Sequence, residues 1–371
     1  MKSVCLNMIV KNESRVIERC LSSVRKYIDS WVIVDTGSTD GTQEIIRNTL
    51  KGIPGELHER PWVDFAYNRN EAMQLARGRG DYLLFIDADE VFLLEKGFFP
   101  PLDQDCYHAV NHLNQTESLR LFLVKQGIHW HWKGVLYEEI FSPQARAGKV
   151  LDGAVIVSTS KDGSRSRDPQ KSEKDIQIME KVLSKEPNNT RMLNFLALAY
   201  EATGKNKQAL ACHEKRAKLG GCSQEIYYCH LRSAVLKAKL DWPMEMVIQS
   251  FMKAYYMQPS RAEPQGYLAD YMIKRENYLM GYLLASSSLS IPYPKEKYRV
   301  EFGIYKWGRL VQVAECAWRI GRIGETYEAI QRLLAMKDLP SEIREPMKKN
   351  SLMKIFDPYR HGIPHAFGGA L

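Results

Sequence analysis

A chain of 371 residues is longer than one hydrophobic core usually organises, so about two domains are expected. Hydrophobic residues at 44% and charged residues at 26% are the values of a folded chain and exclude a disordered one. A net charge of +8 suits anionic partners, but the basic residues are dispersed, and neither a zinc motif nor an aromatic RNA-binding signature accompanies them, which argues against nucleic acid.

The first element is an apolar run over Ser3–Val10, read as a strand that ends in Lys11-Asn12-Glu13. It lacks a cleavage site and is too short to span a membrane, and no later stretch approaches the ~18 apolar residues a span needs. Helical periodicity over Ser14–Tyr27 leads to a second strand at Trp31–Val34, which ends in Asp35-Thr36-Gly37. Helical patterns at Thr42–Leu50 and Asn68–Arg77 follow, and a third strand, Tyr82–Ile86, ends in Asp87-Ala88-Asp89. Strands alternating with helices predict an α/β domain with a mainly parallel sheet over residues 1–157. In such sheets ligands bind beyond the carboxyl ends of the strands, so the three polar strand ends should converge on one crevice.

Residues 158–171 are polar and read as a linker, with Lys161, Arg165 and Arg167 placed to close as a lid. From 172 to 340 the strand texture gives way to helix–turn–helix spacing. Asn194–Ala199, Tyr200, Gly204 and Ala209-Leu210 fall at tetratricopeptide (TPR) positions, with a period of about 34 residues. Looser copies close near Pro259, Pro292 and Pro340, and residues 341–371 form a tail without a clear signal. Seven scattered cysteines contain no Cys-x-x-Cys pair, which predicts buried thiols in a reducing, cytoplasmic compartment.

Two motifs carry chemistry on their own residues. Asp87 and Asp89, spaced i, i+2 at a strand end, can both turn towards one hard cation such as Mn²⁺ or Mg²⁺. Asp35 can accept from the imide N–H of a uracil-type base or from a ribose hydroxyl. Gly37 permits a tight turn there, and Ser38, Thr39 or Asp40 can cap the helix from Thr42.

Met8–Glu13, Val34–Thr42 and Asp87–Glu90, in this order and spacing, resemble the family 2 glycosyltransferases of GT-A fold, a Rossmann-like architecture. With the helical repeats behind it, the chain is similar to a bacterial subgroup that includes peptide and protein glycosyltransferases. The resemblance implies that Val10 and Glu13 line the nucleoside pocket, that Asp35 contacts base or ribose, and that Asn68, Arg69 and Asn70 lie beside the diphosphate. It further implies that Asp87 faces the ribose or the metal, and that Asp89 ligates the metal. Many GT-A enzymes add a His ligand after the last strand; this chain has Ser158-Thr159-Ser160 instead.

An inverting transfer needs a base for the acceptor's proton. The subgroup often shows Trp-x-Gly-x-x-His-Glu where this chain reads Trp132-Lys133-Gly134-Val135-Leu136-Tyr137-Glu138, which makes Glu138 the candidate base and Glu139 the alternate. Trp130 and Trp132 are placed to stack on sugar faces, while His129 and His131 are more simply structural than metal ligands.

The reading that results is an inverting, metal-dependent transfer of a hexose of glucose or N-acetylglucosamine type. The donor is a UDP-sugar and the acceptor a protein, peptide or glycan held on or near the repeats. Some repeat-bearing transferases are dimers, which leaves a homodimer open. A repeat scaffold with an inactive transferase domain is the alternative. A nucleotidyltransferase would need a glycine-rich phosphate loop that Met8–Glu13 lacks.

Overall fold

The computed structural model describes residues 2–114, 116–146, 148–158, 162–295 and 298–349. The chain divides into two compact units, Met1–Met179 and Glu180–Leu371. The first opens with β1 (Val4–Val10), α1 (Ile17–Val24), β2 (Ser30–Asp35), α2 (Thr42–Thr49), β3 (Gly55–Glu59), α3 (Phe65–Leu75) and β4 (Tyr82–Phe85). It continues through β5 (Glu90–Leu94), β6 (Cys106–Leu113), β7 (Thr116–Lys125), β8 (His131–Lys133), β9 (Glu139–Phe141) and β10 (Lys149–Ser158). The main sheet runs β3-β2-β1-β4-β7-β6-β10-β5, and β8 pairs with β9 in a separate ribbon.

The β3-β2-β1-β4 half is wholly parallel, as the alternation of strands and helices predicts. Beyond β4 the sheet turns mixed, with β7 antiparallel to both β4 and β6, β10 parallel to β6, and β5 antiparallel to β10. Alternation along β1 separates the two faces of the sheet. Val4, Leu6, Met8 and Val10 join Ile17, Leu21 and Val24 of α1 and Ile46 of α2 in one core. On the other face Cys5 joins Val32, Phe85, Trp130 and Trp132. The Asn7 amide on that face is satisfied by the carbonyls of Val32 (3.2 Å) and Ala72 (2.9 Å), which ties α3 to the sheet. The pairing places Val10 beside Asp35 and Asn7 beside Phe85, so the loops after β1, β2 and β4 leave the same edge.

Helix α4 (Lys171–Lys185) carries the chain across the division between the units. The second unit is built of helix pairs: α5 (Thr190–Ala202) with α6 (Asn206–Lys218), then α7 (Ser223–Lys239) with α8 (Met244–Met257). They are followed by α9 (Glu263–Ile273) with α10 (Tyr278–Ser288) and α11 (Arg309–Arg319) with α12 (Ile323–Leu334). The first pair matches the repeat positions: Leu196, Ala197, Tyr200, Ala209 and Leu210 are buried, and Gly204 turns between the helices at φ 73°. Leading helices start at Thr190, Ser223, Glu263 and Arg309, so the spacing lengthens along the unit. That drift is why only the first copy reads clearly in the sequence. A further helix, α13 (Ser341–Lys349), stands where the sequence shows no clear signal. All seven thiols are unpaired, and Cys5, Cys20, Cys106, Cys229 and Cys316 are buried. Among the described residues no helix is long and apolar enough to cross a membrane.

Candidate active site

The loops that follow β1 and β2 are laced together. After β1 the Asn12 N–H donates to Ser38 Oγ (2.8 Å), and the Asn12 side-chain oxygen accepts from Thr39 N (2.8 Å). Glu13 N donates to Thr42 Oγ1 (2.8 Å) and Ser14 N to Asp40 Oδ2 (3.0 Å). Helix α2 takes Gly41, at φ 88°, as its N-cap, and Asp40 satisfies Thr42 from one residue earlier. Burial tends to raise the Asp40 carboxyl, but its bonds to Thr42 and Ser14 bring it down to about 2.

Asp35 is fully buried at the end of β2. Its Oδ1 accepts from Gly37 N (2.8 Å) and Ser38 N (2.7 Å), the turn that Gly37 permits at φ 104°. Its Oδ2 is buried with no hydrogen-bond partner among the described residues. Buried polar atoms are rarely left so, and this one suits a ligand donor such as an imide N–H or a hydroxyl.

After β4, Asp87 sits between two guanidinium groups. Arg69 Nη2 donates to Oδ1 (2.5 Å) and Arg120 Nη2 to Oδ2 (3.0 Å). Burial alone would raise this carboxyl, but Arg120 and Arg69 together hold it well below the ordinary range. Arg69 also donates through Nε to Glu138 Oε1 (2.6 Å) and lies over the Trp132 ring at 4.8 Å. Arg120 pairs with Glu90, whose other oxygen accepts from Asp87 N (2.9 Å), and Ser158 Oγ donates to Glu90 Oε1 (2.7 Å). Glu138, Arg69, Asp87, Arg120 and Glu90 are thus one chain of alternating charge. Arg120 lies outside the sequence motifs, and Glu90, the last residue of Asp87–Glu90, has no role assigned there. The signal was a lone arginine in the apolar run Leu119–Val124, since a charge next to buried residues such as Phe122 is usually paired.

Asp89 faces the loop at 162–164, where a Cβ on Gly163 would stand 2.7 Å from Asp89 Oδ2. Its carboxyl is raised by burial and by the charge of Asp87, a strain that a cation would relieve. Oxygen chemistry there fits a hard divalent ion. Among the described residues no group of three His, Cys, Asp or Glu is assembled to hold one, so phosphate and water oxygens would complete its shell.

Glu13 accepts from Ser164 N (3.0 Å), and burial pushes its carboxyl from 4.5 up to about 7, with Asp89 adding to the rise. A carboxyl raised on folding binds more protons in the native state, so stability falls as pH climbs from about 4.5 to about 7. Because Glu13 is partly exposed, the loss should be no more than about 1 kcal/mol. Urea titrations of the ligand-free protein at several pH values check this, and Glu13→Gln should flatten that part of the profile.

The other expected residues make the following contacts. Val10 is a core residue whose carbonyl receives Thr36 N (2.9 Å). Asn68 is fully buried and spends its side chain on Val63 N (3.0 Å) and Pro61 O (3.0 Å). Asn70 clamps the backbone of Trp132 at both N and O (2.8 Å each). Glu139, next along the ribbon, pairs with Lys133 (3.1 Å) while Glu138 meets Arg69, as side chains alternate on a strand. Trp130 and Trp132 do not offer their faces to a sugar; each is only 8% exposed and belongs to the core around Phe85. Arg165 pairs with Asp175 and lies over the Phe65 ring at 5.0 Å, and Arg167 donates to Asn12 O (3.2 Å). Lys161 lies outside the described residues.

Residues 5–113 match the model of glycosyl transferase family 2. The first unit carries a family 2 glycosyl transferase domain. This family 2 domain therefore contains the strand-end loops, Asp35, Arg69 and the Asp87/Asp89 pair, while Arg120 and Glu138 follow the matched segment. Over 96 residues the chain is 41% identical to a TPR repeat-containing protein of Synechococcus elongatus, covering 26% of this chain and 22% of that one. It is 25% identical to the SPbeta prophage-derived glycosyltransferase SunS of Bacillus subtilis, over 56% of this chain and 51% of SunS. The chain thus spans about half or less of the length of these relatives. A solved structure of S. aureus TarS 1-349 in complex with UDP-GlcNAc aligns at TM-score 0.36 and 12% identity, over 69% of this chain and 92% of that one. So low a score adds nothing to the assignment.

Proposed function

We propose that this chain is an inverting hexosyltransferase that uses a UDP-sugar with Mn²⁺ or Mg²⁺ and transfers to a protein, peptide or glycan acceptor. The carrying observation is Arg69, whose guanidinium ties Glu138 to Asp87, so that a base candidate and the Asp-x-Asp strand end share one place. In this reading the orphaned Oδ2 of Asp35 accepts from the base or ribose. Glu138 takes the proton of the acceptor nucleophile as that atom bonds to the anomeric carbon. The bond from that carbon to the diphosphate oxygen breaks, and its electron pair leaves with the diphosphate. Arg69 fixes the Glu138 carboxylate, and Asp87 fixes Arg69. A cation at Asp89, when bound, would neutralise charge on the departing diphosphate. Five buried, unpaired thiols support a reducing compartment such as the cytoplasm.

A thermal-shift screen of nucleotide sugars with Mn²⁺ tests this. UDP-glucose or UDP-N-acetylglucosamine at about 100 times its Kd should stabilise the fold by about 2.7 kcal/mol. Asp89→Ala should abolish the Mn²⁺-dependent part of that shift, and Asp35→Asn should weaken donor binding about tenfold, as loss of one charged hydrogen bond implies. If no nucleotide sugar raises the melting temperature, the proposal fails.

A further inference from the structure

A cleft of about 280 Å³ beside α3 takes no part in the donor reading. Trp62, Val63, Val135 and Ile178 line it, and each stands between 39% and 52% exposed. Apolar side chains from three distant stretches of the chain thus converge on one concavity and are left in water, which marks a surface awaiting an apolar partner. Its charged lining is largely spent internally: Arg165 pairs with Asp175, Lys174 with Asp168 (2.7 Å), and Asp64 caps α3 at Tyr67 N (2.8 Å). Lys171 adds a cation whose field falls on Asp175 and Asp89. Cations and carboxylates are balanced, so the lining favours a neutral occupant. A sugar, dense in hydroxyls, would find few uncommitted donors or acceptors there. The volume lies just under the ~300–1,000 Å³ of small-molecule sites, which suits a side chain better than an oligosaccharide.

Position says what the occupant does. Leu136, 2% exposed in the cleft wall, is two residues from Glu138. Phe65 lines the cleft one helical turn before Arg69, on the same face of α3. The cleft wall is thus built from the same two stretches of chain that carry Arg69 and Glu138. We infer that the cleft is an acceptor subsite that seats an apolar side chain of a polypeptide segment, next to the residue that receives the sugar. This rests on the transferase reading above.

The test is fluorescence anisotropy of short fluorescein-labelled peptides, identical except for Phe, Leu, Ser or Glu at one position, on the full chain. The Phe and Leu peptides should bind at least about tenfold tighter than the Ser and Glu peptides, a factor equal to about 1.4 kcal/mol. Val135→Lys and Ile178→Glu, both at half-exposed positions, should each erase that preference and leave the donor-induced melting shift intact. Binding indifferent to the varied residue, or unmoved by both substitutions, overturns the inference. So does displacement of the Phe peptide by chitotriose, which would make the cleft a glycan site. A donor shift with no peptide preference sinks this inference alone; no donor shift in the unaltered protein sinks the transferase reading and this one with it.

Discussion

Glu138→Gln should slow sugar transfer by about 10²–10⁴-fold, the range lost when a positioned general base is removed. Gln keeps the shape of the side chain and can still accept from Arg69 Nε, so the fold and the donor-induced melting shift should persist. Glu139→Gln is the control. Its partner is Lys133 on the exposed ribbon, and its rate should stay within about threefold of the unaltered chain, since surface pairs contribute only ~0–1 kcal/mol. Single-turnover kinetics with saturating donor read both numbers. Equal losses in the two variants would remove Glu138 from the role of base.

Arg120→Met should cost about 3–5 kcal/mol of folding stability, as expected when one member of a buried ion pair is removed. Arg120 meets both Asp87 and Glu90, and Glu90 is 4% exposed, so its carboxylate would be stranded in the interior. Burial already raises that carboxyl despite Arg120, and Asp87 adds to the rise. With Arg120 gone Glu90 should protonate still more readily, so the deficit should shrink as pH falls. Adding Glu90→Gln should recover part of the loss, because a neutral amide costs less to bury than an unpaired charge. Urea unfolding of the two variants at neutral and acid pH measures this. A loss under about 1 kcal/mol would mean that water reaches the pair.

The parallel half of the sheet could be read from the chain because its strands are continuous apolar runs closed by polar loops. Ser3–Val10, Trp31–Val34 and Tyr82–Ile86 lie within a residue or so of β1, β2 and β4. β3 escaped because Gly-Glu-Leu-His-Glu at a sheet edge carries almost no apolar signal. Of the strands after Asp89, β6 and β7 escaped because they are half-exposed, so their residues alternate and blur into loop. At the site, type and spacing put Asp35 and the Asp87/Asp89 pair at or just after strand ends, and that is where they stand. Asn68 enters only through the resemblance, and nothing in its local sequence shows that its amide serves the Pro61–Val63 loop. Arg120 and Glu90 depend on pairing across strands, which no single segment displays. The two tryptophans mislead in the opposite way: aromatic rings beside a glutamate look like a sugar platform, yet they form the core on which Arg69 rests.

The cross-stitched loops beneath Asp35 carry a thermodynamic corollary. Asn12, Glu13 and Ser14 are already held by Ser38, Thr39, Asp40 and Thr42 before any ligand arrives. Immobilising such side chains at the moment of association would cost about 0.5–1.5 kcal/mol each, and here folding has met that cost in advance. In the reading proposed above, a nucleoside arriving beside these loops meets backbone that is already fixed, while reaching the fully buried Asp35 carboxylate requires the groups that cover it to move.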